Sequence, residues 1–201
     1  MAQRKGTPLV VNVLPVLSSK TFKVGEEETL LTCQYRPPMK AYVMELPAAI
    51  VNDGETVDEA ALRTVLSETG YVGTVRSRSA PTSSSAGFCN ERVAVVVVDV
   101  NLDDYTSEEF VTKRVGKKWR RGMLKTIKVS GESWIPQQSL KDDQIIEIKR
   151  IKLRELQRHV DAAGREGVVS SVSVQAVAIG LAIAGVGTLP MPPPAAKKGW
   201  W

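Results

Sequence analysis

The residues best suited to chemistry lie between Glu45 and Tyr71: Glu55, then Arg63, Thr64, Ser67 and Glu68 in a run of helical character. Positions 64, 67 and 68 are related as i, i+3 and i+4, so on a helix their side chains share one face. Carboxylates at all three would repel one another unless divalent cations neutralised them. Mg²⁺ takes oxygen ligands in near-octahedral geometry and bridges protein carboxylates to phosphates. Such a face suits metal-assisted attack on a diphosphate. Here only Glu68 is acidic, and Thr64 and Ser67 offer neutral hydroxyls, which are poor ligands for that ion. Metal affinity without a bound phosphate is therefore expected to be weak.

The elements that position these residues follow from local signals. Asn52-Asp53-Gly54-Glu55 carries turn chemistry just before a helix from about Thr56 to Thr69. Thr56 and Glu59 form a capping-box pair, and Gly70 supplies the closing glycine. Residues 9–17 and 28–35 read as a β-hairpin joined by a loop, with further strands at Tyr42–Leu46 and Val72–Arg78. A flexible loop is expected over 81–90. Arg92–Val100 contains AVVVV, the pattern of a buried central strand, and Gln144–Leu153 reads as the next strand. An amphipathic helix ending near Ala163-Gly164 and an apolar helix from about Val169 follow, the latter read as a buried core helix of about four turns. Mixed strands with helices on both faces predict an α/β/α sandwich in a single domain over 9–188. An extension at 1–8, a basic insertion at about 102–143 and a proline-rich tail at 189–201 complete the chain.

Composition narrows the function classes. At 201 residues, with 43% hydrophobic and 24% charged content, the chain supports one well-buried core. Cys33 and Cys89 make no disulfide framework or metal spacing, so they read as free thiols in a reducing compartment. His159, the single histidine, falls on a helix surface and leaves Cys89 without an activating base. No secretory h-region is present at the start. Val168 to Ala196 lacks charge, but serines, glycines and prolines interrupt it, which favours a core helix over a membrane span. A cytoplasmic protein is expected. Residues 111–128 hold eight cations and no acid, more than the whole chain's net charge of +5. A solvated insertion accounts for them, as does an RNA or protein contact through Lys117, Lys118, Arg120 and Arg121 with Trp119 stacking on a base. The Pro-Pro-Pro and Trp200-Trp201 of the tail could enter a partner groove, against the commoner outcome of an unanchored terminus.

The run from Glu45 to Tyr71 resembles the Nudix box, G-x5-E-x7-R-E-U-x-E-E-x-G-U, where U is a bulky apolar residue. Glu55, Arg63, Val65, Glu68, Gly70 and Tyr71 match, while Ala49 replaces the first glycine and Thr64 and Ser67 replace two acids. CysGlnTyrArgProProMet (33–39), GluLeuProAla (45–48) and AspGlyGluThr (53–56), with the loop at 85–91 and GlnIleIleGluIle (144–148), are similar to the ADP-ribose (ADP-sugar) pyrophosphatase group of Nudix hydrolases.

That resemblance implies a Nudix fold with Arg36, Glu45 and Ala48 at the substrate. The Ala48 carbonyl and Glu68 would sit at a Mg²⁺ or Mn²⁺ site if hydrolysis survives, with no cofactor otherwise. It makes Arg63 a structural partner for neighbouring acids, Glu55 among them. The late-loop glutamate of active members falls at Gln144, whose amide takes no proton at neutral pH; Glu147 or Glu132 would replace it only in a rearranged loop. A positioned base is worth roughly 10²–10⁴ in rate, and metal stabilisation adds to it. Altering positions 64, 67 and 144 together is expected to cost at least about four orders of magnitude. The N-terminal strands that build the group's dimer and adenine pocket have few residues here to form them, which puts a homodimer in doubt. The leading expectation is an impaired protein that keeps nucleotide or phosphate binding through Arg36. Its competitors are a working pyrophosphatase using Glu68, Glu55 and Glu147, and a non-enzymatic module that binds RNA or protein.

Overall fold

The computed structural model describes residues 8–105, 126–128, 134–136, 138–140 and 145–187. The N-terminal residues 1–7, the cations at 113–125 with Trp119, Glu132, Gln144 and the proline-rich tail lie outside them. Nine strands of the described residues form one mixed sheet, and a separate antiparallel pair, β8 (Thr126–Lys128) and β9 (Trp134–Pro136), follows β7 in the chain.

At the centre, β1 (Leu9–Ser18) runs parallel to β7 (Arg92–Asn101) through ten paired positions, from Leu9 opposite Arg92 to Ser18 opposite Asn101. The AVVVV run is therefore a buried strand, as its unbroken apolar pattern predicts. Beyond β7 lie β5 (Thr74–Arg78) and β6 (Thr82–Ser83). On the other side come β2 (Glu28–Arg36), β3 (Ala41–Glu45) and the short β11 (Val169–Ser170).

The expected hairpin between the first two strands needs correction. β1 and β2 pair only where Leu17 meets Glu28, and then diverge. β4 (Ala48–Ile50) takes the edge of β1 at Val10–Asn12, and β3 takes the matching edge of β2 at Thr32–Arg36, while β10 (Glu147–Lys152) lines the opposite edge of β2 at Glu28–Cys33. The backbone donors of each strand are satisfied by a different neighbour, so the long hairpin never closes.

Alternation along β2 separates two cores. Leu30 packs with Val11, Val13, Val96 and Val98 against Ala60, Ala61 and Val65 of α1 (Val57–Thr69). Leu31 points the other way, joining Met44, Leu46 and Ile151 against α2 (Leu156–Arg165) and α3 (Val172–Ile183). Helices thus cover both faces, the three-layer single-domain arrangement expected.

Two details of the helices bear on function. α1 starts at a complete capping box, with the Thr56 hydroxyl accepting from the Glu59 N–H and the Glu59 carboxylate accepting from the Thr56 N–H. It ends where Gly70, at φ 76°, donates its N–H to the Leu66 carbonyl. The buried four-turn helix expected from Val169 is instead a one-faced helix: Val174, Ala178 and Ala182 are buried, whereas Val172 and Ile183 are each 75% exposed. Its apolar run says nothing about which side is covered, and the sheet covers one stripe only. No helix of the described residues is long and apolar enough to cross a membrane.

Candidate active site

The candidate residues meet on the α1 face of the sheet, where β1 and β2 have parted. Thr32, Gln34 and Arg36 alternate onto this face of β2, and Glu45 of β3 stands opposite Thr32. Arg36 grips Glu45 through Nε and Nη2, at 2.8 and 2.6 Å from the same carboxylate oxygen. The Gln34 amide donates to that oxygen at 3.4 Å. Gln34 was absent from the expected set, although its position two residues before Arg36 on a strand assigns it the same face.

At the start of α1, Arg63 spans Glu55 through two bonds of 2.7 and 2.8 Å and donates a third, of 3.0 Å, to the Ile50 carbonyl. The Asn52 N–H adds a further donor to Glu55 at 3.0 Å. The hydrogen bonds from Arg63, ahead of the opposing cost of partial burial, hold the Glu55 carboxyl below the usual glutamate range. This pair fixes the turn at 50–55 to the helix, the structural role that the resemblance gives Arg63.

The rear of α1 is different. Glu68 is largely buried, and the Ala48 N–H donates to its carboxylate at 3.3 Å. Burial pushes its pKa up to about 7, against the opposing pull of that bond and of the Arg36 and Arg63 charges, while Glu45 adds to the rise. The contact between Ala48 and Glu68 is thus made by an amide donating to the acid. Thr64 is fully buried, and its hydroxyl donates to the Ala60 carbonyl one turn back at 2.7 Å. The Ser67 hydroxyl donates to the Thr64 carbonyl at 3.3 Å. Both hydroxyls are turned to the helix backbone, which corrects the picture of two oxygens flanking Glu68 in the cleft. The Ser67 carbonyl in turn accepts the Ser139 N–H at 2.8 Å, tying the segment after β9 to this end of the helix.

Arg36, Glu45, Ala48, Glu55, Arg63 and Glu68 are therefore brought together. Glu147 is not. It pairs with Cys33, so it shares the face of Leu31 and Met44, opposite Glu45 and α1. Its exposed carboxylate lies 3.7 Å from the Lys149 ammonium. Strand alternation thus sends the Glu147 side chain to the side of the sheet away from Glu68. The remaining loop positions, Gln144 and Glu132, and the basic residues Lys117, Lys118, Arg120 and Arg121 lie outside the described residues.

The three layers, the capped helix and the Arg63–Glu55 brace are compatible with a single-domain α/β Nudix fold. No family model matches the chain. An ADP-ribose pyrophosphatase of Saccharomyces cerevisiae is 35% identical over 104 residues, covering 51% of this chain and 45% of that protein. An ADP-sugar pyrophosphatase of Mus musculus is 39% identical over 105 residues, 52% of this chain and 47% of that one. An uncharacterised Nudix hydrolase of Schizosaccharomyces pombe is 27% identical over 157 residues, 78% of this chain and 64% of the relative. These likenesses support a Nudix protein similar to the ADP-ribose and ADP-sugar pyrophosphatases. The matches span about half to two-thirds of the relatives' lengths, at 45, 47 and 64%.

Proposed function

We propose that the chain is a hydrolysis-impaired member of the ADP-sugar pyrophosphatase group that keeps a phosphate contact at Arg36. One observation carries this reading: of the three helical positions where the box calls for carboxylates, only Glu68 remains acidic, and both replacement hydroxyls are spent on helix carbonyls. Names borne by the relatives, ADP-ribose and ADP-sugar pyrophosphatase, supply the ligand class. Arg36 is half-exposed at 44%, so its guanidinium can meet a diphosphate while still bound to Glu45. Adenosine diphosphate sugars are the ligands this reading expects.

The working-enzyme alternative loses support on two points. Glu55 is already spanned by Arg63, and Glu147 stands across the sheet from Glu68. Incubation of the pure protein with ADP-ribose and Mg²⁺ or Mn²⁺ decides the matter. Release of AMP should stay at background, in wild type and in Glu68→Gln alike. Turnover at an ordinary enzyme rate, abolished by Glu68→Gln, would establish a working pyrophosphatase instead.

A further inference from the structure

A divalent cation is what the fold family implies at this cleft, and the donors present can be tested against it. An octahedral ion needs several oxygens free to converge on one point. Among the described residues, no three His, Cys, Asp or Glu side chains gather at metal-binding spacing. The acids that do approach are committed to N–H donors. One Glu45 oxygen takes two bonds from Arg36 and one from Gln34. Glu55 takes two from Arg63 and one from the Asn52 amide. Glu68 accepts from the Ala48 amide, and the hydroxyls on either side of it serve the helix. A cation would have to share these carboxylates with their N–H donors, with Arg36 and Arg63 close enough to Glu68 to repel the ion. The donor set fits a closed hydrogen-bonded frame and does not fit Mg²⁺.

We infer that the described side chains of this cleft hold no divalent cation, so that a phosphate-bearing ligand is recognised through Arg36 without a bridging ion. The second half of this inference rests on the ligand class proposed above; the first half does not. It also differs from impaired hydrolysis, since an inactive site can still bind metal.

Two measurements on the full chain test it. In the first, Mn²⁺ alone is added while backbone amide resonances are followed by NMR. The expected result is no selective broadening at Ala48, Glu68 or Glu45. Saturable broadening centred on these residues, lost in Glu68→Gln, overturns the inference; broadening centred elsewhere places the ion outside the cleft and upholds it. In the second, ADP-ribose is titrated calorimetrically in EDTA and again in Mg²⁺. The dissociation constant should agree within about twofold between the two and weaken about tenfold in Arg36→Ala, the loss of a charged hydrogen-bonding partner. Tightening by about tenfold or more in Mg²⁺ overturns the metal-free reading. Absence of binding in both overturns the Arg36 contact and leaves the NMR result to decide the cation. AMP release without cleft broadening would defeat the proposed impairment while leaving the cation inference intact, so the two readings fail separately.

Discussion

Glu55 and Glu68 bracket the same helix and have been given opposite environments. Glu55 is met by a guanidinium and a backbone amide, and its charged form is favoured. Glu68 is largely buried with one N–H donor at 3.3 Å, and its charged form is disfavoured. The forward pair is part of what holds the fold; the rear acid carries an electrostatic cost with no direct cationic partner. The difference teaches which parts of an inherited site are tied to folding. Arg63 and Glu55 brace the turn ahead of α1, so their loss would loosen the domain whatever the chemistry. Thr64 and Ser67 serve packing and backbone bonds, which hydroxyls satisfy at least as well as carboxylates.

The largest expected effect breaks the forward half. Arg63→Ala leaves Glu55 without both guanidinium bonds and the Ile50 carbonyl without its donor. Allowing for the 30% exposure of Arg63, the loss should be about 3 kcal/mol at neutral pH in urea denaturation. The sign with pH follows from the depressed Glu55 carboxyl. Its contribution is present above the unfolded pKa and lost as pH falls through the lower folded value. The gap between wild type and variant should therefore narrow on acidification. A gap that stays constant from neutral to strongly acid pH would show that Arg63 acts by packing alone.

The rear half carries the opposite sign. The folded pKa of Glu68, about 7, lies above the ordinary glutamate value of 4.5. The protonated acid's contribution is fully present below the unfolded pKa and lost as pH rises through about 7. Glu68→Gln keeps an oxygen for the Ala48 N–H and removes the titration. It should match wild type near the unfolded pKa and exceed it above the folded one by on the order of 3 kcal/mol. Equal slopes of stability against pH for the two proteins would remove the distinction drawn between the two acids.

A smaller effect tests whether the frame begins at the cap. Thr56→Ala deletes the hydroxyl that accepts from the Glu59 N–H and should cost about 1 kcal/mol by the same denaturation assay. Thr56→Ser should recover most of it. Failure of serine to rescue would assign the cost to the lost methyl rather than to the cap.

How much of this could be read in the sequence depends on what kind of information each residue carries. The helix bounds were legible because Thr56, Glu59 and Gly70 act locally, through backbone groups only a few positions away. The buried strand at Arg92–Asn101 was legible because a run without polar alternation fits no half-exposed strand. The divergence of β1 from β2 was not, since it depends on β4 and β3 taking the edges that the two strands would otherwise share. The exposed side of α3 was hidden for a related reason: Val172 and Ile183 are apolar like Val174, and only the packing tells them apart. Spacing also grouped positions 64, 67 and 68 on one face, yet it carries no information on which acceptor a hydroxyl chooses. Glu147 was legible as an acid near the late loop; the face it takes was fixed by its pairing with Cys33.

The finest test of the contrast is Thr64→Val, which exchanges the hydroxyl for a methyl at a position with no exposed surface. The Ala60 carbonyl that accepts this hydroxyl already lies one turn back in a helix, where the Thr64 N–H is its natural donor. Loss of the second bond is thus offset by relief from burying a polar group. Stability should change by no more than about 0.5 kcal/mol, and ADP-ribose binding in EDTA should be unaffected. A hydroxyl that served as a ligand would behave otherwise: the methyl would weaken nucleotide or metal binding while leaving the urea midpoint in place. That combination would return Thr64 to the cleft and reduce the difference between the two ends of α1 to one of degree.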